Sequence, residues 1–175
     1  DTSARIIAKT LGENISASVV IDNKGGAGGN IAHQYTATGP TDGSVILFGS
    51  VGPLTIAPHL VKLPYDPVKD LSPIAEVVTQ PLLVVSHPSV PVGSFKELID
   101  WARKQPSPLA YTSGGSGSYG HLWFEMVAAQ QRIAAQHVGY SGVAPALRDV
   151  IGGQVPVLVD AIVPTGVQVK AGKVK

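Results

Sequence analysis

The chain has no cysteine, a single methionine and few charges: Asp, Glu, Lys and Arg make up 14% of 175 residues, and the net charge is +1. Without thiols there are no disulfides and no thiolate metal sites. The few cations form no run, so the concentrated basic surface that nucleic acid requires is excluded. Long apolar runs are lacking too. None approaches the ~20 residues of a membrane-spanning helix, and the stretch around Leu82 to Val85 has the length of a buried strand. The histidines (His33, His59, His87, His121, His137) are scattered without an i,i+4 pair, so no zinc site is predicted. No short repeat and no low-complexity segment is present. The chain opens at Asp1 directly into a helical pattern, which reads as a piece of something longer.

What is present is an alternation of helix and strand from end to end. Ala4, Ile7, Ala8 and Leu11 form a helical stripe that Gly12 stops. Strands are predicted at Val19–Ile21, Val45–Phe48, Ile74–Val78, Leu82–Ser86, 109–113, 134–139 and 155–160. Helices are predicted after Gly29, near Leu60, from the capping-box spacing Ser94-Phe-Lys-Glu97 through Lys104, and at 117–130, 143–152 and 164–172. Repeated strand–helix alternation implies an α/β fold with mostly parallel sheet covered on both faces. A proline-punctuated break near 64–91 divides it into two units.

The richest stretch is Tyr111-Thr-Ser-Gly-Gly-Ser-Gly-Ser-Tyr-Gly-His121, where a strand breaks into small residues and a helix begins. Such a turn offers free backbone N–H groups and a positive dipole end, an anion site to which Thr112, Ser113 and Ser116 add hydroxyls. Gly115-x-Gly117-x-x-Gly120 matches a dinucleotide pattern, but the following strand ends in Gly139-Tyr140-Ser141 with no carboxylate for a ribose. Gly25–Asn30 looks like a phosphate loop, yet no Lys-Ser/Thr follows, and its glycines read as positive-φ positions that let the next helix pack closely. Gly139–Val143 approaches a nucleophile elbow and lacks its last glycine. An α/β hydrolase-like or nucleotide-dependent enzyme using the turn 113–121 is the rival reading. It needs a base and an acid near Ser113 or Ser116, and His121, beside a Gly/Ser turn, reads as a structural hydrogen-bonder. Ser50-Val51-Gly52-Pro53 and Asp160-Ala161 are further small-residue strand ends, the places where open α/β sheets bind ligands.

In order along the chain stand Asp1-Thr-Ser-Ala-Arg5, Asn23–Asn30, Pro40-Thr-Asp-Gly43, Leu63-Pro-Tyr-Asp-Pro67, Asp70–Ala75, Tyr111–Ser118 with His121-Leu122, Ala144-Pro-Ala-Leu147, Gly152-Gly-Gln-Val155 and Lys170-Ala-Gly-Lys173. This ordered set resembles the receptors of tripartite tricarboxylate transporters, the Bug-type extracytoplasmic solute-binding proteins. The resemblance implies a two-lobed periplasmic binding protein of type II (venus-flytrap), each lobe a mostly parallel sheet flanked by helices. Lobe one is 1–80, incomplete; 81–86 is a hinge strand; lobe two is 87–175. It further implies a strand and a Pro-Gly-Gly loop ahead of Asp1, and about a hundred residues beyond Lys175, the size of an ordinary two-lobed receptor. Implied with it are a periplasmic location, no catalysis, no cofactor, a small organic carboxylate ligand and membrane transporter subunits as partners. The candidate ligand residues are Asp1, Ser50, Val51, Gly52, Thr112, Ser113, Gly115, Ser116, Gly117, Ser118, His121, Tyr140 and Asp160. Two positions depart from the family: Gly139 stands where Pro is usual, and Asp160-Ala161 where Asp-Asn is common.

Overall fold

The structure, a computed structural model, describes residues 2–175. Asp1, expected in the first helical turn and at the ligand, lies outside the described residues. Four strands form one sheet: β1 (Leu82–Ser86), β2 (Leu109–Ser113), β3 (Ala135–Val138) and β4 (Val157–Ala161). Their order is β1-β4-β2-β3; β2 is parallel to both neighbours, and only β1 runs antiparallel, against β4. Leu82–Ser86, read from sequence as a hinge strand, is the edge strand of this sheet.

The period-2 alternation of strands divides the core in two. Val157 and Val159 face one side, with Leu109, Tyr111 and the helices α4 (Phe95–Ala102) and α5 (Tyr119–Gln131); Phe124 is wholly buried there. Leu158 and Val85 face the other side, with Ala146, Leu147 and Val150 of α6 (Val143–Ile151). The last helix, α7 (Ile162–Lys170), packs on β1 and β4. Beyond it the chain returns to the sheet. Ser86 N–H donates to Lys175 O at 2.7 Å and Lys175 N–H to Ser86 O at 2.9 Å, so the last residue is paired to the end of the edge strand.

The capping box before α4 is realised with a shift. Glu97 N–H donates to Ser94 Oγ, while the Glu97 carboxylate accepts from Gly93 N–H at 2.6 Å, one residue upstream of the cap. The other predicted elements of this half lie within a few residues of their places, with β4 and α7 starting at Val157 and Ile162.

The first half is different. It holds α1 (Thr2–Ile15), α2 (Asn30–Ala37), a single wide turn at Gly52–Ile56 and the short α3 (Ala57–Leu60). The strands expected at Val19–Ile21, Val45–Phe48 and Ile74–Val78 are not formed among the described residues. A strand is defined by its ladder, and these β-branched segments have no partner there. Their side chains are correspondingly bare: Val20 is 82% exposed, Ile74 80% and Ile46 56%. Leu82–Ser86 pairs instead with the distant Val157–Ala161 in the β1–β4 ladder.

Candidate functional site

Three loops of small residues meet at the start of α5. The first is the turn Gly114–Ser118 that follows β2. The second is Gly25–Gly29, which leads into α2; Gly28 has φ 63°, and a Cβ there would stand 2.6 Å from the Ser116 carbonyl oxygen and 3.0 Å from the Ser118 nitrogen. Glycine is required here both for conformation and for proximity. The third is Ser50–Pro53: a Cβ on the buried Gly52 would stand 3.4 Å from Gly117 O and Tyr119 N. Tyr140 and Ser141 close the side, with Tyr140 O 3.0 Å from a Cβ on Gly115 and Ser141 O 3.4 Å from one on Gly25. The glycine loop that sequence read as packing for α2 thus also abuts the turn Gly114–Ser118 from across the chain.

Behind the loops lies a polar network. Ser118 caps α5 by accepting from His121 N–H (3.4 Å), and its hydroxyl shares a hydrogen bond with Ser113 Oγ at 3.0 Å. Ser113 Oγ also accepts from Gly115 N–H and lies 2.8 Å from His137 Nε2. Thr112 Oγ1 donates to Val138 O at 2.8 Å. Thr112 and Ser113 have no exposed surface, so their hydroxyls brace the turn from beneath. Ser116 alone of the turn's hydroxyl residues is exposed. Gly117 N–H donates to His121 Nδ1 at 3.0 Å. Tyr111 OH donates to Glu125 Oε1 at 2.6 Å, and burial followed by that carboxylate raises the tyrosine's titration point.

On the opposite side His33, buried on α2, performs a similar task. Its Nδ1 bonds Gly29 O at 2.9 Å, so Nδ1 carries the proton, and its Nε2 accepts from Ser50 N–H at 3.4 Å. Burial depresses its titration point, which keeps this tautomer neutral. Val51 is half-exposed beside Ser50. Tyr140 OH donates to Asp149 Oδ2 at 2.5 Å, so its hydroxyl is committed to α6 and its titration point is raised. Asp160, at the end of β4, accepts from Ala161 N–H at 2.7 Å, and its Oδ2 would stand 2.9 Å from a Cβ on Gly114. Burial raises its titration point, against the amides of Ala161 and Gly114.

Sequence reasoning singled out the turn after β2 and Ser50–Pro53, read Gly25–Gly29 as packing only, and did not single out His33 or His137. His33 carries a local signal, a histidine four residues after a loop carbonyl on a helix. His137 carries none, because only the β2–β3 register sets it opposite Tyr111. The Ser113–His137 contact supplies the partner that the enzyme reading lacked. Yet the hydroxyl is wholly buried, and Glu125 Oε1 accepts from Tyr111 OH and lies 4.0 Å from His121 Nε2. That arrangement holds a turn; it does not present a nucleophile.

The chain belongs to the family of tripartite tricarboxylate transporter receptors (TctC), whose profile matches residues 3–175. These are solute-binding receptors rather than enzymes. Protein BugT of Bordetella pertussis is 33% identical over 157 residues, covering 89% of this chain and 48% of BugT. Among solved structures, the R. palustris protein Rpa4515 with adipate superposes with a TM-score of 0.94 at 36% identity, covering all of this chain and 59% of that one. MatC from Rhodopseudomonas palustris with bound malate superposes at 0.92 with 28% identity, covering all of this chain and 60% of its own. The chain thus spans about half the length of the curated relatives it matches. Its mixed sheet flanked by helices is the α/β fold of these periplasmic binding proteins.

Proposed function

We propose that this chain is part of a two-lobed, periplasmic receptor that captures a small organic carboxylate between its lobes and delivers it to a tripartite tricarboxylate-type membrane transporter. Residues 1–80 belong to the first lobe, 81–86 to the hinge and 87–175 to the second lobe. The observation that carries the reading is the meeting of the Gly25–Gly29 and Ser50–Pro53 loops with the turn at the head of α5. In that place backbone amides, hydroxyls and the helix dipole favour an anion without any guanidinium. Adipate and malate, bound by two relatives, support a small organic carboxylate as the ligand and make dicarboxylates the first to try.

Ser116, exposed on the turn, is the contact to the carboxylate, with Ser50, Val51 and Gly52 facing it from the first lobe. Gly115, Gly117 and Ser118 shape the turn, and Thr112 and Ser113 act from behind it. Tyr140 and Asp160 limit the cleft's rim and far end. Calorimetric titration of the full-length protein with adipate and malate tests this. Ser116→Ala is expected to lose about 1–3 kcal/mol of binding, the range for a hydrogen bond to a charged group. Undiminished affinity in that variant would move the carboxylate away from this turn.

A further inference from the structure

His121 stands four residues after Gly117, and its ring lies against a second imidazole. Gly117 donates its backbone N–H to His121 Nδ1 at 3.0 Å. An amide has only a proton to give, so Nδ1 holds a lone pair and the ring proton sits on Nε2. A second proton would go onto Nδ1 and set donor against donor at Gly117. The neutral ring is therefore part of the geometry of the turn.

The titratable groups facing this ring come from three elements. On α5 itself, Glu125 Oε1 lies 4.0 Å from Nε2. From β3, His137 stacks at 3.9 Å between ring centroids, and from β2, Tyr111 lies at 6.4 Å. Glu125 favours a cation on His121, but its Oε1 already accepts from Tyr111 OH at 2.6 Å. His137 opposes a second positive charge at stacking distance. Burial disfavours the charged form of both rings, which agrees with the tautomer that the Gly117 contact demands. His137 in turn contacts Ser113, the hydroxyl that joins Ser118 to Gly115. The two rings thus hold both ends of the turn.

The geometry points to neutral His121 as a positioning residue of the carboxylate turn: Nδ1 holds the Gly117 amide, and protonation releases the turn and weakens ligand capture. This rests on the reading that Gly114–Ser118 is the carboxylate site. A receptor built in this way captures at neutral pH and lets go in acid.

Two measurements on the full-length protein test it. The first is nitrogen-15 NMR without ligand. It is expected to show the Nε2–H tautomer of His121 at pH 7.5 and a Gly117 amide signal that titrates together with the ring. An Nδ1–H tautomer, or a Gly117 amide indifferent to the ring's titration, overturns the proposal.

The second is calorimetry with adipate and malate for wild type, His121→Asn and His121→Phe between pH 7.5 and 4.5. Asn keeps an acceptor without a titratable ring, and Phe keeps the stack without an acceptor. Comparing wild type with His121→Asn at each pH cancels the ligand's own protonation. The wild-type to His121→Asn affinity ratio is expected to fall roughly tenfold between pH 7.5 and 4.5, and His121→Phe to bind roughly tenfold more weakly than wild type at pH 7.5. A wild-type to Asn ratio that stays constant, or rises in acid, overturns the proposal. Failure of either dicarboxylate to bind at pH 7.5 defeats the carboxylate reading separately, since the ligand-free NMR still decides the role of His121.

Discussion

His33 and His137 sit behind the loops, where each ties backbone or hydroxyl groups that are far apart in sequence. Burial, followed by the neighbouring His121, pushes the His137 titration point from 6.5 down to about 4. The unfolded chain therefore binds more protons than the folded one between those values. Stability associated with the neutral ring is fully present above pH 6.5 and drains away as pH falls towards 4. Thermal unfolding across that window should show a loss on the order of 1–2 kcal/mol from this half-exposed ring, after allowance for solvent screening. His137→Asn should flatten that part of the profile, and an unchanged slope in the variant would mean that another group sets it. At this scale the sequence displays local chemistry well. The glycine and serine content of 113–118 announces a turn whatever lies around it. The partner of Ser113 is invisible because it sits 24 residues away on a neighbouring strand.

Between elements, α5 and the sheet are separated at one point by a single hydrogen atom. A Cβ on Gly120 would stand 2.3 Å from the Val159 carbonyl oxygen, closer than any contact allows. The obstacle is backbone, so the helix itself must move. Gly120→Ala is expected to destabilise by about 1–3 kcal/mol or more, read as a lower urea midpoint, and to disturb the turn that α5 carries. A midpoint equal to wild type would show that α5 can slide without cost. The third glycine of the apparent dinucleotide pattern thus serves helix–strand packing. Elements with both partners nearby were legible: α4 has its cap box, and β2, β3 and β4 sit within successive strand–helix units. Val19–Ile21, Val45–Phe48 and Ile74–Val78 were read as strands from their apolar pattern. Such a pattern describes what a segment suits, whereas a ladder needs a second backbone beside it.

For the whole molecule, the contrast between the two halves governs behaviour in solution. Residues 82–175 contain both core clusters, while the first half leaves Ile6, Val20, Ile46, Phe48, Ile74 and Val77 exposed. Bare apolar side chains beside unpaired extended backbone favour self-association. The 175-residue chain on its own is therefore expected to sediment as oligomers that grow with concentration. On the two-lobe proposal it should also bind adipate and malate more weakly than the full-length protein, since closure of both walls would supply the binding energy. A monodisperse monomer with full-length affinity would place the complete cleft within these residues and defeat the two-lobe reading. The α/β class was legible from alternation throughout, whereas the incompleteness expected of the first lobe came from the family resemblance, because which edges are covered cannot be read from the segments themselves.

The pairing of Lys175 with Ser86 brings the far end of the second half back to where that half begins. Topologically, residues 82–175 are a nearly closed ring. The gap is the length of β1, about 13 Å at the rise of an extended strand. A handful of linker residues would bridge it, leaving the order of events along the chain arbitrary. The exposed bend at Gly152–Gln154 could then serve as the new terminus. Entry into and exit from residues 82–175 thus lie side by side at one edge strand, the geometry of a segment that a longer chain can leave and re-enter without stretching.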